Sequence, residues 1–191
     1  MRSEIDKQKE LIKLIGSRLW QRGMVSANDG NISCRLQEGF LITASGVSKG
    51  FMSDDDILIL DQEGQMIENK KSYPSVEMKL HFQVYENCPN ARAVVHAHPP
   101  YATAYSLTNA NINDCPLEEV RIQLGHVARL AYAPAGSEQL AKNVGVGMQN
   151  AWVGLMLRHG AIALGENLLQ AYYRIEALEQ AAKIAAISKT L

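Results

Sequence analysis

Residues 93–98 read Ala-Val-Val-His-Ala-His and run directly into Pro99-Pro100. A short apolar run closed by prolines predicts a buried β-strand, because neither proline can donate a ladder hydrogen bond and the chain must leave the sheet there. Side chains at i and i+2 of a strand share a face. His96 and His98 therefore project together, with Cα atoms about 6.6 Å apart at a rise of ~3.3 Å per residue. Two imidazoles so placed can converge on one metal ion through bonds of ~2.0–2.1 Å. They can equally be ordinary histidines, one of them satisfied in a core.

The rest of the chain must cover that strand. Periodicity predicts a helix over 3–22, capped by Ser3, with Ile5, Ile12, Ile15 and Leu19 near one stripe and Gly23 stopping it. Residues 31–43 read as two short strands around the turn Gln37-Glu38-Gly39, and 57–60 as a buried strand ending in Asp61-Gln62-Glu63-Gly64. Pro74-Ser75 opens a helix to about Glu86, with Met78, His81, Phe82 and Tyr85 in i, i+3, i+4 register. A short helix over 101–107 and a strand over 127–132 follow, while 109–120 carry no clear period. Ser137 caps a helix over 137–150, with Glu138 on its positive end. Strands over 153–157 and 161–164 break at His159-Gly160, and a closing helix over 168–188 turns Leu168, Tyr172, Ile175, Leu178 and Ala182 inward. Strands that occur both as neighbours and in alternation with helices predict a mainly antiparallel or mixed sheet flanked by helices. No repeat or Pro/Ser-rich linker interrupts 1–191, which read as one domain.

Charge and cysteine content narrow the function classes. With 19 Lys+Arg against 20 Asp+Glu, the 191 residues carry no electrostatic footprint for nucleic acid or anionic lipid. The start, Met1-Arg2-Ser3-Glu4, has no apolar signal core, and no apolar run approaches the ~18 residues of a membrane span. Cys34, Cys88 and Cys115 form no C-x-x-C pair and read as reduced thiols. These features predict a cytoplasmic protein with no nucleic-acid or membrane partner.

A third histidine, in Arg158-His159-Gly160, also sits where an apolar strand breaks, and Glu77 lies near the first turn of the helix opened by Pro74-Ser75, where the helix dipole favours a carboxylate. First-turn glutamates are also common without any function. Three imidazoles and a carboxylate suit Zn²⁺, with Mn²⁺, Co²⁺ or Fe²⁺ as other divalent choices. His81 and His126 read as structural. The loops Asn28-Asp29-Gly30-Asn31 and Thr43-Ala44-Ser45-Gly46, with the helix start at Ser75, offer N–H groups and hydroxyls for an anion, although turns are built from such residues anyway. Lys49 and Lys79 read as solvated, with Lys49 placed to offset the charge of Asp29.

The ordered set Gly30-Asn31-Ile32-Ser33, Thr43-Ala44-Ser45-Gly46, Pro74-Ser75-Val76-Glu77, His96-Ala97-His98 and Arg158-His159-Gly160 resembles the class II aldolase/adducin family over almost the whole chain. The resemblance implies a three-layer α/β/α sandwich with a mainly antiparallel central sheet, and a homotetramer with active sites at subunit interfaces. It implies one zinc per chain held by Glu77, His96, His98 and His159, with Glu77 doubling as acid/base. The matching phosphate pocket is Gly30, Asn31, Ser45, Gly46, Ser75 and Val76. The implied reaction cleaves a ketose 1-phosphate, such as L-fuculose 1-phosphate, to dihydroxyacetone phosphate and a small aldehyde through a metal-stabilised enediolate. Other activities on this scaffold are sugar-phosphate epimerase, dehydratase and decarboxylase. Glu77 favours the aldolase, since the epimerases carry aspartate there and the dehydratases lack that acid. A non-catalytic adducin-like module would lose the three histidines. Two departures stand out: Val76 replaces a second serine, and Asp29 puts a carboxylate beside the first phosphate loop. No tyrosine between Asn109 and Gln123 matches the one that family aldolases take from a neighbouring subunit.

Overall fold

A computed structural model of the protein describes residues 3–67 and 71–191; Met1 and Arg2, part of the start read above for a signal core, lie outside the described residues. In chain order its elements are α1 (Glu4–Gln21), β1 (Asn31–Arg35), β2 (Phe40–Thr43), β3 (Ile57–Leu60), α2 (Met78–Asn87), β4 (Ala93–Ala97), α3 (Pro100–Ser106), β5 (Val127–Leu130), α4 (Glu138–Gly147), β6 (Val153–Met156), β7 (Gly160–Gly165) and α5 (Leu168–Ser188). The strands form one sheet in the order β3-β2-β1-β4-β7-β6-β5, antiparallel throughout except for the parallel pair β5–β6.

Alternation along β4 sets the layers. Ala93, Val95 and Ala97 join the core beneath α1, α3 and α5, together with Ala161 and Ala163 of β7. Val94 faces the other way, into the core beneath α2 and α4, with Ile162 and Leu164 of β7. By the same parity His96 points toward the α2/α4 layer. On α1, Ile12, Ile15 and Leu19 are wholly buried, each stabilising the packing by roughly 1.5–3 kcal/mol. Ser3 caps that helix in a reciprocal pair with Asp6, and all five inward residues read on α5 are buried. The α5 cap is Asn167, whose side chain accepts from the Gln170 N–H.

Several boundaries differ from the sequence reading, each for a local reason. The helix after Pro74 starts at Met78. Pro74 instead bridges Ala44, the Ser75 N–H donates to the Thr43 carbonyl, and a turn closed by Met78 N–H to Ser75 O comes first. Glu77 is thus the N-cap residue of α2 rather than a first-turn residue. The buried stripe of α2 is Leu80, His81, Val84 and Tyr85. Met78 and Phe82, expected on it, are half-buried over a smaller cluster with Ile42, Leu58 and Leu60. β5 stops at Leu130, opposite Met156, the last residue of its partner strand. Helix α4 ends at Gly147, short of 150. The unassigned stretch holds a 3-10 turn, Ile112–Asp114, and a π-helical turn follows at Val120–Leu124.

Candidate metal centre

Three segments deliver the candidate ligands to the end of β4: the strand itself, the β6–β7 turn and the start of α2 with Glu77. His96 is the penultimate residue of that strand. His98 lies just beyond it, its backbone N–H tied to the Met24 carbonyl in the segment after α1. His159 stands in the β6–β7 turn, closed by His159 N–H to Met156 O, with Arg158 in the left-handed region at φ 61°. The β4–β7 register, Ala97 opposite Ala161, brings that turn to the point where His98 leaves the sheet. Gly30 lets the loop before β1 approach this point. Its φ is +71°, and a Cβ there would lie 2.7 Å from the His96 carbonyl oxygen.

The result is a triangle of imidazoles. Ring centroids of His96, His98 and His159 lie 4.9–5.1 Å apart, and one nitrogen from each falls within 4.8 Å of the others. The Nδ1–H of His96 donates to the Ala161 carbonyl at 2.9 Å, leaving Nε2 as the lone-pair atom that faces the cluster. Burial pushes all three imidazoles below their ordinary pKa, so they stand neutral and ready to ligate at pH 7.

Glu77 closes the group. It is only 6% exposed, with Oε2 3.3 Å from His96 Nε2 and Oε1 3.4 Å from His159 Nε2. Oε2 accepts from the Asn31 amide at 2.8 Å, whereas Oε1 has no hydrogen-bond partner among the described residues. Burial pushes this carboxyl up, but His96, the Asn31 amide, His159 and His81 outweigh it and hold it below the usual range. A buried, ionised oxygen without a partner is costly unless something positive completes it. Three neutral imidazoles and such a carboxylate are a donor set that fits Zn²⁺ or another divalent ion.

Behind Glu77 runs a buried chain of hydrogen bonds with a fixed direction. A carboxylate only accepts, so the Asn31 amide turns its Nδ2 to Glu77 and its Oδ1 to His81 Nε2, 2.5 Å away. His81 must then donate from Nε2 and accept at Nδ1 from the Ser33 hydroxyl at 2.6 Å, which in turn accepts from the Tyr85 hydroxyl at 2.7 Å. Full burial pushes His81 down to about 3 and pushes the Tyr85 phenol up, keeping the one neutral and the other protonated. His81, set aside above as structural, therefore holds Asn31, and through it Glu77. The spacing Glu77, His81, Tyr85, four residues apart on one helical stripe, is the sequence signal that marks this chain of contacts.

The cleft in front of the imidazoles, about 260 Å³, is lined by Gly30, Asn31, Ser45, Gly46, Ser75 and Val76 together with Glu77, His98 and His159. His96 lies behind them, 1% exposed. The structure thus gathers every candidate site residue, although not every polar group remains free. The Asn31 amide is engaged with Glu77 and His81, the Ser45 N–H with the Tyr73 carbonyl, and the Ser75 hydroxyl accepts from Glu77 N–H. The Val76 side chain is 69% exposed at the mouth. Asp29 turns to His98, Oδ2 to Nδ1 3.6 Å, and accepts from the Ser26 hydroxyl. A carboxylate in that position orients a ligating imidazole. Lys49 is not solvated as read above. It is 2% exposed and lines the cleft, because its stem packs under α1 at Gly16. His126 stays exposed in the loop before β5.

Residues 10–186 match the family described as "Class II Aldolase and Adducin N-terminal domain". The L-fuculose phosphate aldolase of Methanococcus vannielii is 34% identical over 176 residues, 92% of this chain and 93% of the relative. A protein of Haemophilus influenzae named 3-oxo-tetronate 4-phosphate decarboxylase is 32% identical over 184 residues, 93% of this chain and 86% of the relative. Among solved structures, the l-fuculose-1-phosphate aldolase from Thermus thermophilus superposes with a TM-score of 0.83 at 31% identity, covering 97% of this chain and 95% of its own. The seven-strand, mostly antiparallel sheet with its flanking helices is the fold these neighbours share, and the chain belongs to the class II aldolase and adducin family.

Proposed function

We propose that this protein is a divalent-metal-dependent aldehyde-lyase that cleaves a ketose 1-phosphate of the L-fuculose 1-phosphate kind to dihydroxyacetone phosphate and a small aldehyde. The observation that carries the reading is the partnerless Oε1 of Glu77, buried among three neutral imidazoles. Glu77, His96, His98 and His159 would hold one Zn²⁺ per chain. A divalent ion there supplies Lewis-acid polarisation of a substrate carbonyl, the electron sink that carbon–carbon cleavage needs.

The chain's own groups do the rest. Glu77 moves the proton at Oε1, the oxygen that has no hydrogen bond to the described residues, while Asn31 steadies Oε2. The loops at Gly30-Asn31 and Ser45-Gly46 and the turn at Ser75-Val76 line the place for the phosphate, where Val76 offers a backbone N–H but no hydroxyl. The same reading carries one domain over 1–191, a homotetramer with sites at subunit interfaces, and a cytoplasmic location. Among the described residues no helix is long and apolar enough to cross a membrane.

A second reading, a decarboxylase of a phosphorylated 3-oxo acid, draws support from the Haemophilus influenzae relative, which is nearly as similar as the aldolases. The test is a product screen. Zinc-loaded protein is offered dihydroxyacetone phosphate with lactaldehyde, acetaldehyde or glycolaldehyde, and separately a phosphorylated 3-oxo acid. Ketose 1-phosphate formation supports the aldolase. Carbon dioxide release without any aldol product replaces it with the decarboxylase. Glu77→Gln should keep the metal yet slow proton exchange at the enolisable carbon by about 10²–10⁴-fold.

A further inference from the structure

Among the described residues, the cleft lining contains one lysine or arginine, Lys49. Its Nζ donates to the Val47 carbonyl at 2.5 Å and the Asn28 carbonyl at 3.3 Å. Val47 belongs to the loop that carries Ser45 and Gly46, and Asn28 to the loop that carries Gly30 and Asn31, so the ammonium sits between the two loops that line the cleft. An ammonium has three donors, and carbonyls take two of them. The anionic influences on it are Asp29 and Asp56, neither of which forms an ion pair with it among the described residues, and each turns its Oδ2 elsewhere: Asp29 to Ser26 and His98, Asp56 to the Ser53 hydroxyl and N–H. A cation 2% exposed with no direct counterion among the described residues is costly to bury. The desolvation is real enough to push its ammonium down to about 8.

We propose that Lys49 is a specificity-determining residue, a fixed positive charge between the two cleft loops that selects substrates carrying a phosphate dianion. The inference rests on the reading of this cleft as the phosphate site and deepens it. Lys49 supplies the attraction that the missing hydroxyl at Val76 does not, and it offsets the carboxylate of Asp29 near the incoming anion. An apolar or neutral group at 49 would leave Glu77 and the imidazoles untouched, so recognition of the phosphate and of the reacting end should separate.

Two hydroxamates of equal reacting ends test this, phosphoglycolohydroxamate and glycolohydroxamate, with dissociation constants measured by calorimetry on the zinc-loaded protein. The parent should prefer the phosphorylated ligand. Lys49→Met should weaken that ligand about 10- to 100-fold and the unphosphorylated one by less than about twofold. Equal weakening of both ligands would reduce Lys49 to a brace for the loops and overturn the proposal, as would no weakening of either. A parent that binds the two alike would overturn the phosphate reading itself, and the proposal with it. A second measurement does not depend on the methionine variant folding. The parent's preference for the phosphorylated ligand should drop about tenfold between pH 7 and pH 9 as Lys49 sheds its proton, and Lys49→Arg should hold it flat. The charged side chains facing Lys49 are the carboxylates of Asp29 and Asp56. A parent preference that is flat across that range contradicts a shielded lysine as its source.

Discussion

His81→Phe should make the metal-free protein less stable at neutral pH and, relative to the parent, less sensitive to acid. His81 is 1% exposed, and burial lowers it from an ordinary 6.5 to about 3. The unfolded chain takes up a proton on this imidazole below about pH 6.5, while the folded chain refuses it until about pH 3. The parent therefore loses stability as pH falls through that window. At pH 5 the gap of about 1.5 pH units costs about 2 kcal/mol, a large part of a typical ~5–15 kcal/mol. The phenyl ring keeps the volume but leaves Asn31 Oδ1 and the Ser33 hydroxyl without their partner, at about 1–3 kcal/mol at pH 7. Urea unfolding of both proteins in excess chelator, at pH 7 and pH 5, reads the difference directly. His96, His98 and His159 titrate in both proteins and cancel. The deficit of the variant should shrink by about 2 kcal/mol on going to pH 5. A deficit equal at both pH values would mean that protons reach His81 in the folded state, and would refute the closed, one-directional chain from Tyr85 to Glu77.

His96→Ala should leave the protein unable to retain zinc through gel filtration, whereas the parent should keep close to one equivalent by elemental analysis; undiminished zinc in the variant removes His96 from the ligand set. Gly30→Ala should cost about 1–2 kcal/mol for its left-handed backbone alone and weaken zinc binding as well, since the new methyl presses on the His96 carbonyl. Arg158→Gly should change the melting free energy by less than about 1 kcal/mol, because relief of the left-handed φ offsets the lost contact with Tyr132, whereas Arg158→Val should be worse than glycine by about 1–2 kcal/mol.

Much of the candidate site is legible in the sequence because its information is local. Two histidines two apart before a double proline define a strand face and its end, and a third histidine before a glycine defines a hairpin tip. Helix α5 was equally plain, since five inward residues at helical spacing leave no other reading. What escaped depends on contacts between distant segments. Lys49, between Ser48 and Gly50, has the surroundings of an exposed loop. The approach of α1 at Gly16 and of the loop at Asn28 buries it. The start of α2 slipped because Ser75 hydrogen-bonds to Thr43 on another strand, a competitor for its N–H that no window around Pro74 contains. The amide of Asn31 bonds to Glu77, 46 residues away, a contact that no window around Gly30-Asn31 contains.

The position of β4 between β1 and β7 has a consequence during synthesis. β1 through β3 form a meander that can assemble early, and β4 can dock on β1 as soon as it emerges. Its other edge, with Val94 and Val95 alongside, has no partner until Gly160–Gly165 has been made. At ~5–20 residues per second, the stretch from Ala97 to Gly160 takes roughly 3–13 s to translate, and for that time the nascent chain carries a bare apolar edge of the kind that recruits chaperones or aggregates. His159 arrives with the same hairpin that covers this edge. A chain stalled or cut before residue 159 therefore lacks both the strand that covers β4 and the third imidazole of the candidate metal centre.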